Sequence, residues 1–158
     1  MKRIIIFGNS GSGKSTLAKK ISTQHKLGHL DLDTLAWQQN SESPTRKPLE
    51  ESHELIKEFI AQNNSWVIEG CYSELIELIT PYASEMIFLN PTTQQCIENA
   101  KNRPWEPHKY ESKEKQDANL DFLIQWIKDY DNRDDVFSRK AHLKLYSEYS
   151  GKKKMISG

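Results

Sequence analysis

The stretch Arg3-Ile4-Ile5-Ile6-Phe7-Gly8-Asn9-Ser10-Gly11-Ser12-Gly13-Lys14-Ser15 decides the fold of this 158-residue chain. Its first five residues read as a buried strand, and the next eight form a glycine-rich loop with the spacing G-x-x-x-x-G-K-S. Leu17, Ala18 and Ile21 then continue as an amphipathic helix. Such a loop between a strand and a helix typically wraps the phosphates of a nucleotide, because glycine reaches dihedral angles that other residues avoid. These surroundings favour a phosphate-binding loop over a glycine-rich turn without function.

Each part of this loop has an expected role at the phosphates. The residues expected to bind the nucleotide are Gly8, Asn9, Ser10, Gly11, Ser12, Gly13, Lys14, Ser15 and Thr16. Gly13 precedes a helix whose first N–H groups lack intrahelical partners and whose dipole favours an anion. Lys14 is expected to reach the β- and γ-phosphates and to take part in catalysis, and Ser15 to offer its hydroxyl to Mg²⁺. Thr16 is expected at the helix start, near the nucleotide.

Composition predicts one small domain over residues 1–158, a size that can bury a sizeable core. Lys plus Arg and Asp plus Glu number 22 each, so no net field attracts nucleic acid or an anionic membrane. No apolar run approaches the about 18 residues of a membrane span, and we expect a cytoplasmic protein, monomeric or weakly dimeric. The spacing of Cys71 and Cys96 indicates neither a disulfide framework nor a zinc site.

Short apolar runs alternate with helical patterns along the chain, which indicates βαβ units and a parallel sheet covered on both faces. The predicted strands are residues 2–7, 28–32, 66–69, 85–89 and 152–156. Apolar residues at helical spacing that are expected in the core are Leu55, Ile56, Phe59 and Ile60, then Leu75, Ile76, Leu78 and Ile79, then Leu120, Leu123, Ile124 and Ile127 with Phe122 and Trp126 beside them. A last helix is expected to carry Phe137, Ala141, Leu145 and Tyr149. Gly151 is expected to stop the last helix.

Two stretches interrupt this alternation. Residues 38–48 are polar and hold two prolines, so we expect a mobile loop after the second strand. Residues 102–117 are highly charged and lack periodicity, as a lid over an active site would. The alternative is two solvated surface loops. The lid is favoured because open parallel sheets bind ligands beyond the carboxyl ends of their strands.

Acidic side chains follow two of the predicted strands. Asp31 and Asp33 end the second strand, where one carboxylate could hold Mg²⁺ through water and the other could orient an acceptor hydroxyl or take its proton. A helix cap plus a surface charge is the alternative. Glu69 ends the third strand, next to Gly70, and could act on the water shell of the metal or as a base. A solvated strand-end charge is the alternative there.

Aromatic and cationic residues complete the predicted site. The residues expected to bind an acceptor are Asp33, Trp37, Gly70 and Tyr72, with the two aromatic rings as apolar walls. Ordinary packing is the alternative for each ring. Cations are needed where charge develops on a transferred phosphoryl group, and Arg103, Arg133 and Arg139 are the candidates. Each could equally be a surface charge.

Four motifs in this order resemble the small P-loop kinases related to adenylate and shikimate kinases, and within them the group labelled topology modulation protein or adenylate kinase-related. They are G-x-x-G-x-G-K-S-T at Gly8 to Thr16, L-D-x-L-x-W at Leu32 to Trp37, W-V-I-E-G-x-Y at Trp66 to Tyr72, and the run from Phe122 to Tyr130. The first motif alone is generic, whereas the four together are specific.

The resemblance implies a three-layer α/β/α P-loop NTPase fold with a short lid and a five-stranded parallel sheet in the order 2-3-1-4-5. It also implies ATP on the phosphate loop, an acceptor near Asp33 and Glu69, and Asp31 near the metal. The chain departs from the group in two places. Relatives usually have Asp-Gly-Asn where this chain has Glu69-Gly70-Cys71. The lid has Arg103 where relatives carry several arginines, and the other cations around it are Lys101, Lys109, Lys113 and Lys115.

These observations predict an ATP-dependent phosphotransferase with Mg²⁺ and a small-molecule acceptor. The predicted catalytic residues are Lys14, Asp33, Glu69, Arg103 and Arg133, and the predicted metal ligands are Ser15 and Asp31. The alternative is a nucleotide-binding regulatory or accessory protein with little kinase activity, which the arginine-poor lid favours. A GTPase would carry D-x-x-G and N-K-x-D after the phosphate loop, and the sequence has neither.

Overall fold

Five parallel strands form the central sheet of the computed structural model, which describes residues 1–38 and 45–157. They are β1 (Arg3–Gly8), β2 (Gly28–Asp31), β3 (Trp66–Gly70), β4 (Glu85–Leu89) and β5 (Lys152–Ile156). Their order in the sheet is β2-β3-β1-β4-β5, and every pairing is parallel. The predicted strand order and fold class are confirmed. The carboxyl ends of the parallel strands all lie at one edge of the sheet, so the loops after β1, β2 and β3 meet there.

Helices cover both faces of this sheet. They are α1 (Lys14–His25), α2 (Leu49–Gln62), α3 (Ser73–Ile79), α4 (Thr93–Lys101), α5 (Lys113–Ala118), α6 (Leu120–Lys128) and α7 (Arg139–Glu148). Successive side chains of a strand point to opposite faces. Accordingly, Ile4 and Ile6 pack with Ala18 of α1, whereas Ile5 and Phe7 pack with apolar residues of α2, α3 and α7. The strands β1, β3 and β4 are therefore buried on both sides, as their apolar runs require, whereas the edge strand β5 is mostly exposed.

A third apolar cluster joins α4 to α6 beside the phosphate loop. Cys96, Ile97 and Ala100 of α4 and Ile127 of α6 are buried there. The other apolar residues of the predicted α6 stripe, Leu120, Leu123 and Ile124, are only partly buried against it. Of that stripe, full burial holds for Ile127 alone, because α6 packs on α4 rather than on the sheet.

Several predicted boundaries shift for local reasons. Strand β2 ends one residue early because the Asp31 carboxylate accepts a hydrogen bond from the Asp33 N–H (2.9 Å) and starts a 3-10 turn, Leu32–Thr34. The last helix begins at Arg139 instead of near Phe137, because the Ser138 hydroxyl caps it by accepting from the Ala141 N–H.

The described parts of the two predicted loops contain regular hydrogen bonding. In residues 38–48, the described part pairs at its base, where Trp37 and Arg46 form an antiparallel bridge and the Gln38 N–H donates to the Thr45 carbonyl (2.8 Å). Residues 39–44 of the predicted mobile loop lie outside the described residues. The predicted aperiodic lid contains helix α5, which Ser112 caps through the Lys115 N–H. Among the residues described, none of the helices is both long and apolar enough to cross a bilayer.

Candidate nucleotide and acceptor site

A cleft of about 1700 Å³ opens at the carboxyl ends of the strands. Its walls come from the phosphate loop, helix α1, the ends of β2 and β3, and residues 102–109 of the predicted lid. The predicted site residues that line it are Ser10, Gly11, Ser12, Gly13, Lys14, Ser15, Thr16, Asp31, Asp33, Glu69, Gly70 and Arg103. Tertiary structure therefore brings most of the predicted residues around one cavity.

Gly11 and Gly13 show why the phosphate loop needs glycine. Gly13 has a φ of +97°, a conformation that side chains disfavour, and the space where its Cβ would lie is open. At Gly11, a Cβ would lie 2.4 Å from the Cys96 carbonyl oxygen, so only glycine lets α4 approach the loop. The Asn99 amide of α4 donates to the Gly11 carbonyl (2.8 Å) and holds this contact.

Polar groups of the loop fit an anion that accepts hydrogen bonds. The Lys14 ammonium donates to the Asn9 carbonyl (2.8 Å) across the loop. The Ser12 hydroxyl is buried without a hydrogen-bond partner in the part of the chain that the structure describes. A buried polar group without a partner is costly, so this hydroxyl is suited to a bound ligand.

The first two residues of the loop have a supporting position. Gly8 and Asn9 were predicted to bind the nucleotide, but they do not belong to the described residues that line the cleft. The Asn9 side chain donates to the Ile127 carbonyl (3.2 Å) and ties the loop to α6.

The Glu69 carboxylate lies buried between two cleft residues. Its Oε1 accepts from the Ser15 hydroxyl (2.8 Å), and its Oε2 lies 2.9 Å from His29 Nε2. The hydroxyl predicted to hold Mg²⁺ therefore contacts Glu69, and Asp31 is the residue of β2 that pairs in register with Glu69. The sequence analysis missed His29. Its alternation with Asp31 along β2 was the available signal, because residues two apart on a strand share a face.

A lid lysine joins the acids at the end of β2. The Lys109 ammonium lies 2.9 Å from Asp33 Oδ2, 3.6 Å from Asp31 Oδ2 and 3.5 Å from Glu106 Oε2. His108 Nε2 lies 3.8 Å from the same Asp31 oxygen. Four charged groups and an imidazole thus meet where the lid contacts the sheet edge.

The electrostatics of this cluster separate its two aspartates. Burial and the neighbouring Asp33 charge raise the pKa of Asp31. Burial also acts to raise the pKa of Asp33, but Lys109 and a hydrogen bond from Tyr72 outweigh it and hold that pKa below its usual range. Burial opposes the charge on Lys109, yet the Asp33 and Asp31 charges raise its pKa, so it remains an ammonium ion. Of the two aspartates, Asp33 is consequently the one whose ionised form the site favours.

The predicted aromatic walls stand behind Asp33. The Tyr72 hydroxyl donates to Asp33 Oδ1, and the Trp37 N–H donates to the Tyr72 oxygen (2.9 Å). Neither ring belongs to the described residues that line the cleft. The Arg46 guanidinium stacks 4.6 Å from the centre of the Tyr72 ring and pairs with Glu74. Sequence reasoning missed Arg46, which lies within the predicted loop of residues 38–48 and carries no local signal that links it to Tyr72.

The three candidate arginines separate in space. Arg103 lines the cleft and pairs with Glu106 (3.2 Å) within the lid. Arg133 lies on the Trp126 ring, 3.7 Å from its centre, and pairs with Asp135 (2.7 Å). It does not belong to the described residues that line the cleft, and neither does Arg139, which stacks on a tyrosine ring.

The thiols take no part in this arrangement of charges. Both Cys71 and Cys96 are free thiols. Burial raises the pKa of the Cys71 thiol to about 12, so it stays protonated at neutral pH.

Comparison with known proteins adds two findings. A family model described as an AAA domain matches residues 4–120, which include the phosphate loop, the acids and the whole predicted lid. The uncharacterized protein YqaC of Bacillus subtilis (strain 168) is 26% identical over 145 residues, a match that covers 89% of this chain and 80% of that protein.

Proposed function

Because the chain belongs to the AAA domain family of P-loop nucleotide-binding proteins, we propose that it is an ATP-dependent phosphotransferase. It moves the γ-phosphoryl group of MgATP to a small-molecule acceptor. The carrying observation is one cleft that joins the phosphate loop with Lys14 and Ser15 to the acids Asp33 and Glu69. Phosphoryl transfer requires this combination, because its catalysis is mainly positioning and charge stabilisation.

Nucleotide and metal have matching groups in the cleft. The buried Ser12 hydroxyl and the left-handed Gly13 at the start of α1 suit phosphate oxygens. Ser15 and Glu69 would hold Mg²⁺, with Asp31 as a further carboxylate nearby, since this ion prefers oxygen ligands and keeps several waters. When bound, Mg²⁺ neutralises phosphate charge and orients the phosphates for in-line transfer.

Asp33 is the residue that we assign to the acceptor. Its carboxylate faces the cleft, with the side chain 37% exposed, and its ionised form is stabilised by Lys109 and Tyr72. In the transfer step, the acceptor oxygen forms a bond to the γ-phosphorus as the bond to the β,γ-bridging oxygen breaks. Asp33 takes the acceptor proton, and ADP leaves. Gly70 lies at the floor of the same region.

Lys14 and Arg103 are the cations that we assign to the transferring group. Both line the cleft, and a positive charge placed where negative charge develops lowers the barrier. Arg133, held by Asp135 and Trp126 away from the cleft, is left out of this assignment. The closer kinship to adenylate and shikimate kinases is part of the same proposal and rests on the four motifs.

The alternative is a nucleotide-binding regulatory protein with slow hydrolysis. The observation that favours it is the pairing of Arg103 with Glu106, which leaves that guanidinium partly neutralised in the lid. Turnover separates the two functions. A kinase transfers labelled γ-phosphate to an added alcohol or nucleoside monophosphate, whereas the regulatory protein binds MgATP and releases only inorganic phosphate.

The Lys14→Ala substitution tests the proposal directly. Loss of a hydrogen bond from a charged group should weaken MgATP binding by at least about 1.5–3 kcal/mol. Titration calorimetry measures the affinity, and circular dichroism checks the fold. Lys140→Ala is the control, because Lys140 is an exposed lysine of α7 that does not belong to the described residues lining the cleft. Equal affinity of the Lys14 variant and the wild type would refute the assignment of the phosphate loop.

A further inference from the structure

We propose that Lys109 is a latch that couples nucleotide binding to acceptor access. In the empty protein, its ammonium holds the lid on Asp31 and Asp33. The phosphates of a bound nucleotide draw it away and release Asp33 for the acceptor. This inference rests on the proposed function and adds a regulatory step to the same site.

The first support is how the lid is held. None of residues 102–117 is fully buried, so no apolar core of its own fixes this segment on the protein. The segment is bonded internally instead, because the Gln116 amide contacts both the Glu106 N–H (2.8 Å) and the Pro104 carbonyl (3.0 Å). It can therefore move as a unit when its outside contacts change.

The second support is what the latch covers. Lys109 Nζ forms an ion pair with Asp33 Oδ2, and the Tyr72 hydroxyl donates a hydrogen bond to Asp33 Oδ1. Each oxygen thus already accepts one donor, and the ammonium offsets the negative charge that would attract the proton of a substrate hydroxyl. Release of Lys109 frees the Oδ2 side of Asp33 and restores its full negative charge for the acceptor.

The third support is the electrostatic position of the phosphate site. Lys14 acts on Asp33 across the cleft and lowers its pKa, so charges at the phosphate loop reach this cluster. Lys109 stays ionised and its side chain is 20% exposed to the cleft. A triphosphate offers several oxygens for charge-assisted hydrogen bonds and competes directly for this ammonium.

Arg103 is less suited to this role. Its guanidinium pairs with Glu106, a residue of the same lid segment. That pair moves with the lid and cannot hold the lid to the sheet. Lys109 connects the lid to the end of β2, which is the contact that a latch requires.

A double-mutant cycle of nucleotide affinities tests whether the nucleotide competes with Asp33 for Lys109. In Asp33→Asn the amide oxygen can still accept from Tyr72, but the latch is weakened, so MgAMPPNP should bind about five- to tenfold more tightly. Lys109→Met should bind about tenfold more weakly, because the phosphate contact is lost. Asp33→Asn in the Lys109→Met background should bring almost no gain, since no lysine remains to be released.

Hydrogen exchange of the protein without nucleotide tests whether Lys109 holds the lid. Lys109→Met should raise exchange of amides in residues 102–112 at least about fivefold. Lys113→Met is the matched control on the same lid, because Lys113 pairs with Asp117 on the exposed side (3.1 Å) and should leave those amides unchanged. If Asp33→Asn does not fold, the lid exchange and the MgAMPPNP affinity of Lys109→Met decide whether Lys109 is a latch.

Two results would overturn the latch. One is an equal gain in MgAMPPNP affinity from Asp33→Asn in the wild-type and Lys109→Met backgrounds. That result would mean that the Asp33 charge simply repels the phosphates, whether or not Lys109 is present. The other is unchanged lid exchange in Lys109→Met. Failure of the proposed function looks different, because the wild type would then take up no MgAMPPNP at all or would bind it without transferring phosphate from MgATP.

Discussion

Glu69 illustrates how a single buried carboxylate is made tolerable. Its side chain is almost fully buried, and each oxygen has a donor or partner, one from Ser15 and one from His29. Buried charges without partners are costly, so these contacts are required by the fold whatever the chemistry. They also aim one oxygen at the hydroxyl of the phosphate loop. The same geometry thus serves stability and the proposed metal.

Glu69→Gln separates these two roles. Glutamine keeps the size and an oxygen for Ser15 but lacks the charge that Mg²⁺ requires. We expect the gain in nucleotide affinity on adding Mg²⁺ to fall about 10- to 100-fold, with affinity in EDTA unchanged. Calorimetry with and without Mg²⁺ measures this difference. Glu54→Gln, on an exposed turn of α2, is the control. A full Mg²⁺ effect in the Glu69 variant would argue against this role.

At the level of elements, serine caps one helix that packs on the sheet and one helix in the lid. Ser138 is buried and caps α7, accepting from the Ala141 N–H (3.0 Å) and donating to the Asp135 carbonyl (2.8 Å). Ser112 caps α5 in the same way through the Lys115 N–H (3.2 Å), but in the lid. Helix α7 packs on the sheet through Leu145, whereas α5 has no buried residue.

This contrast predicts different costs for one substitution. Ser138→Ala should lower the free energy of unfolding by about 1–2 kcal/mol, because a buried cap is lost. Ser112→Ala should change global stability by less than about 0.5 kcal/mol, because the lid contributes little to the core, and should raise amide exchange in α5. Urea unfolding and hydrogen exchange measure the two effects. Equal global costs would mean that α5 belongs to the cooperative core.

For the whole molecule, His142 joins parts that are distant in sequence. Its ring lies edge-on to Phe7 of β1, with centroids 5.5 Å apart. Its Nδ1 lies 2.7 Å from the Tyr130 hydroxyl, and its Nε2 lies 2.8 Å from the Cys71 carbonyl, directly after β3. Burial lowers the pKa of His142 to about 4, so the ring is neutral in the folded protein.

Stability should therefore fall as pH falls. The unfolded state takes up this proton near pH 6.5 and the folded state near 4, so the contribution is complete above about pH 7 and is lost through that window. The full loss is about 3 kcal/mol, since one pKa unit is about 1.4 kcal/mol. His142→Gln should flatten the unfolding free energy between pH 7 and 4.5, and His25→Gln, at the exposed end of α1, should not. A parallel pH dependence in wild type and His142→Gln would contradict this assignment.

Features carried by neighbours in the chain were predictable from the sequence. The phosphate loop, the five strands and most helices follow from glycine spacing and from apolar periodicity, which act over a few residues. The order of the strands followed from the resemblance to P-loop kinases, because short motifs in a set order specify one topology. Where local capping competed with periodicity, at Asp31 and Ser138, the predicted ends were wrong by one or two residues.

Only the tertiary structure decided which charged groups meet. Ser15 and Glu69 are 54 positions apart and touch because β1 and β3 are neighbours in the sheet. The sequence favoured Arg133 over Lys109 as a catalytic cation, yet packing on Trp126 holds Arg133 away from the cleft while the lid brings Lys109 to Asp33. The physical reason is that local spacing determines backbone conformation, whereas the position of a long charged side chain depends on the elements that pack around it.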